Sequence, residues 1–176
     1  MPNPMTTLLP PQHLASVAAS GLRAWFAWTD SPKFSVLASG VDWDTATTSL
    51  GTAIAECAAA AALAAQLRAW LRGCPAPLPM DALDLASLSL FSRHVLTTLQ
   101  KTVPRGQVAT YGALAAACGM PGAARAVGNA LRHNPFPLFL PCHRVIPANG
   151  RIGRFQGGPD GSPLKARLLA IEGVTR

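Results

Sequence analysis

The chain has 176 residues, a formal charge of +7 and 49% hydrophobic residues, enough for one domain or two small ones with a substantial core. Its four cysteines (Cys57, Cys74, Cys118, Cys142) form no CxxC pair and no regular spacing, which argues against a zinc site or a disulfide framework and for a reducing compartment. No apolar stretch approaches the ~18 residues that span a bilayer, and Met1–Pro11 lacks the basic start of a signal peptide, so no membrane partner and a cytoplasmic location are expected.

The charge is unevenly spread. Residues 1–90 carry four Lys/Arg against six acidic residues, a balance of −2, whereas residues 91–176 carry eleven against two (Asp160 and Glu172), a balance of +9. Such asymmetry points to a polyanion-binding domain joined to a neutral one, with nucleic acid favoured over arginines that merely aid solubility.

In chain order, Met1–Gln12 is a proline- and threonine-rich tail. Leu22–Trp28 and Phe34–Ala38 predict two strands with Asp30-Ser31-Pro32 as the turn, and Trp25, Phe26, Trp28 and Trp43 are the expected core. Thr52–Arg72 predicts a helix stopped by Gly73. The alternating prolines of Gly73–Asp84 predict a semi-rigid connector, so residues 1–86 are assigned to an α/β domain and 87–176 to a mainly α domain. Phe91–Thr102 predicts a helix with Phe91, Val95 and Leu99 as its stripe. A short helix from Thr110 to Gly119, a turn at Pro121-Gly122 and a second helix at Ala123–His133 have the form of a helix-turn-helix. The second helix carries Ala123, Ala124, Ala126, Gly128 and Ala130, with Arg125 the one long side chain near its start, so its backbone can approach a groove closely with little base readout.

Leu138–Val145 reads as a short buried strand or extended segment that places Cys142 beside His143, with Arg144 as a nearby positive charge. A buried thiol becomes reactive only when a base removes its proton, and an adjacent histidine supplies one. Arg151–Gly158 is a glycine-bearing loop with Phe155 in it. Ser162-Pro163 starts a last helix with Leu164, Leu168 and Ile171 as its stripe and Gly173 as its stop. Glu172 lies in its final turn, where the helix dipole disfavours a carboxylate, so it needs a compensating partner.

Tyr111, the Ala-Arg-Ala-Val-Gly run at 124–128, Asn134-Pro135, Pro-Cys-His-Arg-Val at 141–145 and Glu172-Gly173 together resemble the O6-alkylguanine-DNA alkyltransferases over roughly residues 89–174. The resemblance implies a small ribonuclease H-like N-terminal domain and a helix-turn-helix domain. It implies that Cys142 irreversibly accepts the alkyl group of O6-alkylguanine, with O4-alkylthymine a further substrate, from double-stranded DNA after base flipping, without cofactor or metal and as a monomer. By the same pattern His143 deprotonates Cys142 through water, Glu172 orients His143, Asn134 braces the turn and Tyr111 donates a proton to the leaving guanine. Arg125 matches the finger that enters by the minor groove and replaces the flipped nucleotide, on a helix lined by Ala123, Ala124, Ala126 and Gly128 and ending at Arg132. Val145, Phe155 and Gln156 match the guanine pocket, although many members have tyrosine where this chain has Phe155.

Three other readings compete. An alkyltransferase-like lesion binder lacks the cysteine that Cys142 supplies. A helix-turn-helix regulator needs base-reading side chains and a dimerisation element, and a cysteine hydrolase needs oxyanion donors and turns over.

Overall fold

The computed structural model describes residues 13–29, 34–43, 57–75, 77–156, 158 and 160–175. The predicted N-terminal tail, the Asp30-Ser31-Pro32 turn and the first residues of the helix predicted from Thr52 lie outside the described residues.

Among the described residues the N-terminal half has three strands, β1 (His13–Ala19), β2 (Leu22–Thr29) and β3 (Ser35–Trp43), paired antiparallel in the order β1-β2-β3. The sequence predicts two; β1 carries a weak strand signal because of its small residues, Ala15, Ser16, Ala18 and Ala19. Leu22, Ala24, Phe26 and Trp28 point to one side of β2 with a period of two and are fully buried. A register shift at Ala27/Trp28 pairs Trp28 with Val36 and so returns Val36 to the same buried face as Val41.

Two expected core tryptophans lie elsewhere. Trp43 ends β3 and is 46% exposed. Trp25 lies on the other face of β2, where its indole covers its cross-strand partner Gly40 so closely that glycine is the one residue the position accepts without movement.

Helix α1 (Ala58–Leu71) follows Cys57, whose backbone is extended. Ala60, Leu63, Ala64, Leu67 and Leu71 form the stripe that packs on β1 and β2. Gly73 ends it at φ +93, with Cys74 N–H donating to Ala69 O over 3.0 Å.

The proline-rich segment that follows is not a free connector. Leu83 bridges Val36 in parallel, with Val36 N–H donating to Ala82 O (2.6 Å) and Asp84 N–H to Val36 O (3.0 Å). The proposed boundary therefore falls in a stretch bonded to the N-terminal sheet at one end and leading into α2 at the other.

Helix α2 (Leu90–Thr102) is capped by Ser89. Val95, Leu96 and Leu99 form its buried face. Phe91, expected there, is 37% exposed. The strand β4 (Ala109–Thr110) leads into α3 (Tyr111–Ala117), whose N-cap Thr110 accepts from Ala113 N–H. Helix α4 (Ala124–Arg132) buries Val127, Ala130 and Leu131 against α2 and α3 and leaves Arg125, Ala126 and Arg132 exposed, which completes the helix-turn-helix.

The segment after α4 is buried as expected, but it is not a strand. Leu138 takes φ +77, Cys142–Arg144 form one 3-10 turn, and only Val145–Ile146 (β5) is extended, paired in parallel with β4. The flanking prolines withhold the N–H groups a longer ladder requires. Helix α5 (Pro163–Ile171) starts at the expected Ser162 cap, but its buried face is Lys165, Leu168 and Leu169 rather than Leu164, Leu168 and Ile171.

Gly40→Ala places a methyl group within the Trp25 ring, so the indole or the strand must shift. A loss of about 1–3 kcal/mol is expected in urea unfolding, and unchanged stability would show that the indole swings away without loss.

Candidate active site

Cys142 opens the 3-10 turn and is 8% exposed. Asn134, just past α4, holds it: the amide nitrogen donates to Leu140 O (2.7 Å) and Cys142 Sγ (3.2 Å), while the amide oxygen accepts from Phe136 N–H (3.0 Å). One side chain thus ties the end of the proposed recognition helix to the thiol. Burial pushes the thiol pKa up, and the Asn134 hydrogen bond and the nearby Lys165 charge pull in the opposite direction.

His143 is completely buried, with Nε2 3.1 Å from Glu172 Oε1 and ring contacts to Trp70 and Phe155. The ring N–H does not aim well at the oxygen, and Nδ1 has no hydrogen-bond partner among the described residues. Burial lowers the imidazole pKa more than Glu172 raises it, so the ring is neutral near pH 7, as a general base must be.

Glu172 caps the C-terminus of α5. Its compensating partner is Arg144, whose Nε and Nη2 donate to Oε2 (2.9 Å) and Oε1 (2.8 Å) while Nη1 donates to Val103 O (2.8 Å). Arg144 therefore serves the carboxylate and not the thiol, a correction to its expected place beside Cys142. Burial alone would raise the Glu172 pKa, but His143 and Arg144 outweigh it and hold the carboxyl at about 2.

A cleft of about 170 Å3 opens on Cys142. Tyr111, Gly128, Leu131, Arg132, Arg154, Phe155 and Gln156 line the rest of it. Tyr111 is half-buried, and burial, Cys142 and Asp160 push its pKa up, so the phenol keeps the proton it would donate. Arg125 and Ala126 lie exposed on the first turn of α4, with Ala123 and Ala124 partly covered beside them; none of the four lines the cleft. Val145 does not line it either: it is sealed behind the turn, and its carbonyl accepts from Lys165 Nζ (2.6 Å).

Two residues were missed from sequence. Arg154 lines the cleft. Lys165 is fully buried, donates also to Arg154 O (3.3 Å), and is held down to about 8 by burial, against the pull of the Cys142 and Asp160 charges. The signal for Lys165 was present, since Lys165, Leu168, Leu169 and Glu172 follow the i, i+3, i+4, i+7 spacing of one helix face. Among the described residues no group of three or more His, Cys, Asp or Glu side chains forms a metal-binding cluster, and no helix is long and apolar enough to cross a membrane.

Fold and site define a helix-turn-helix unit set over a buried, histidine-flanked cysteine. The family model for the 6-O-methylguanine DNA methyltransferase DNA-binding domain matches residues 90–174. Methylated-DNA–protein-cysteine methyltransferase from Cricetulus griseus is 48% identical over 98 residues, 56% of this chain and 46% of the relative, so the chain spans about half the length of the curated relatives it matches. The crystal structure of Mycobacterium tuberculosis O6-methylguanine methyltransferase aligns over 91% of this chain and 92% of its own, with TM-score 0.69 and 29% identity. A structure of the M. tuberculosis protein in complex with DNA aligns over 92% and 93%, with TM-score 0.63 and 27% identity. Residues 90–174 thus match this DNA-binding domain, and the chain shares the fold of the M. tuberculosis methyltransferase.

The carboxylate's low pKa gives stability a definite pH dependence. Its contribution is complete above the ordinary glutamate value of 4.5 and is lost as pH falls toward 2. Urea unfolding between about pH 3 and 6 should show stability falling with acid, with a shallower fall in Glu172→Gln; equal slopes would mean that Glu172 is not the ionised partner of Arg144.

Proposed function

We propose that the chain repairs DNA by moving the alkyl group from O6-alkylguanine, and from O4-alkylthymine, onto Cys142 in a single irreversible turnover. The observation that carries this reading is a cleft that joins the buried thiol to the face of α4, with the neutral imidazole next in the same turn, buried behind the cleft and paired to a carboxylate. The DNA complex of the M. tuberculosis protein adds support for DNA as partner.

In the reaction, His143 takes the Cys142 proton through a water, and Glu172 stabilises the imidazolium. The thiolate sulfur attacks the alkyl carbon, the S–C bond forms as the C–O bond breaks, and guanine leaves with the electron pair. Tyr111 donates a proton to it. Asn134 keeps the sulfur at the cleft floor, and Phe155 and Gln156 wall the base, with Val145 supporting the floor from behind.

The target carbon is inaccessible inside the stack, so the nucleotide must be flipped out, at a cost of a few kcal/mol. Arg125 takes its place from the minor groove. Ala123, Ala124, Ala126 and Gly128 allow α4 to approach closely, and Arg132 contacts the backbone. The protein acts as a cytoplasmic monomer without cofactor. Residues 1–86 form the ribonuclease H-like supporting domain and residues 87–176 the transfer domain.

Incubation with a duplex containing O6-methylguanine should add one methyl mass to the Cys142 peptide and consume the protein stoichiometrically. Repeated turnover would favour a cysteine hydrolase. Cys142→Ala should bind the lesion without transfer, and transfer by that variant would mean that another atom is the nucleophile. Arg125→Ala should slow repair of duplex by at least about tenfold while reaction with free O6-benzylguanine changes little; equal losses on both substrates exclude the finger role.

A further inference from the structure

The proposed catalytic residues all follow position 110, yet one wall around them comes from the N-terminal half. Trp70, in the last turn of α1, is 4% exposed, and its indole meets the His143 ring edge-on with centroids 5.9 Å apart and planes at 80°. Phe155 makes a second edge contact at 6.4 Å and 88°. Two aromatic rings thus flank the imidazole.

Trp70 is itself held from behind. The Arg105 guanidinium lies 5.2 Å from the indole centroid, and its Nη2 donates to Gly73 O (3.2 Å) and Ile171 O (2.8 Å), the latter one residue before Glu172. One cation therefore joins the C-terminal ends of α1 and α5, the ends at which the helix dipole favours positive charge. Trp70, Pro75, Leu78, Arg105 and Arg144 also line a cavity of about 230 Å3, to which His143 does not contribute. The indole faces that space and also touches the imidazole.

We propose that Trp70 is a positioning residue: it sets the plane of the His143 ring against Glu172 and keeps water out, so that the N-terminal half takes part in alkyl transfer. The proposal rests on the reading of Cys142 as nucleophile and His143 as its base. The charged and titratable groups around His143 are Glu172 and Lys165 from α5 and Cys142 and Arg144 from its own turn; α1 presents only the uncharged indole. Removing the indole lets water reach the ring, which relieves the burial that disfavours the imidazolium and leaves Glu172 to favour it. The neutral base then exists only at higher pH.

The test uses the full chain, with single-turnover transfer from an O6-methylguanine duplex followed over about pH 5 to 9, His143 titration by NMR, and duplex affinity as control. Trp70→Ala should move the acid limb of the rate profile and the His143 titration up by about one pH unit, lower the rate near neutrality by about two- to threefold, and leave duplex affinity unchanged. Trp70→Phe, which keeps an aromatic edge, should restore most of both. Trp70→Leu, a smaller side chain that leaves part of the indole's space to water, should show the same shift in smaller measure if the alanine variant does not fold. A slower rate with an unmoved acid limb and titration would overturn the proposal, as would a phenylalanine variant no better than leucine. Absence of transfer in the unaltered protein would refute the function proposed above, while the His143 titrations would still decide whether Trp70 controls the ring.

Discussion

The site depends on one buried carboxylate. Glu172 lies where the end of α5 presents unpaired carbonyls, the least favourable place on a helix for negative charge, and it is removed from water as well. Two hydrogen bonds from Arg144 make that placement stable. Because Arg144 belongs to the same 3-10 turn as Cys142 and His143, the pairing fixes the turn against the helix. Removing one member of such a pair leaves an uncompensated buried charge, at a cost of about 3–5 kcal/mol.

The pair also sets the chemistry. Burial drives Cys142 toward the neutral thiol and His143 toward the neutral imidazole, so at rest the proton stays on sulfur. Glu172, kept ionised by His143 and Arg144, stabilises the imidazolium that forms when the proton moves. Lys165, buried on the other side with its ammonium on the Val145 carbonyl, favours the thiolate. Separation of charge thus becomes accessible in a site whose dryness otherwise opposes it.

The two halves share this arrangement. Ser39 of β3 donates its N–H to Pro135 O (2.8 Å) and its hydroxyl to Pro137 O (3.1 Å), so the loop that carries the nucleophile is docked on the N-terminal sheet. The short parallel pair of β4 and β5 ties the entrance of the helix-turn-helix to the residues just after the turn. The Asn134 bonds complete the link between α4 and sulfur. Movement of α4 is therefore mechanically connected to the thiol.

Local chemistry made much of this legible in the sequence. The cap Ser162 and the stops Gly73 and Gly173 mark helix ends because each satisfies orphan backbone groups within a few residues. The family resemblance carried by Tyr111, Asn134, Cys142, His143 and Glu172 pointed to the candidate site. Apolar character was a poorer guide: Phe91 and Trp43 are exposed while Lys165 is buried, because burial is decided by what the completed fold places opposite each residue. What only the tertiary structure decided is pairing at a distance. That Arg144 bonds Glu172 rather than Cys142, that Trp70 reaches His143, and that a proline-flanked apolar run becomes a turn all depend on groups 28 to 73 residues apart, or on elements that meet only when the chain closes. A hydrogen bond or a ring contact across such a gap leaves no periodicity in the intervening sequence, since its geometry belongs to the folded chain alone.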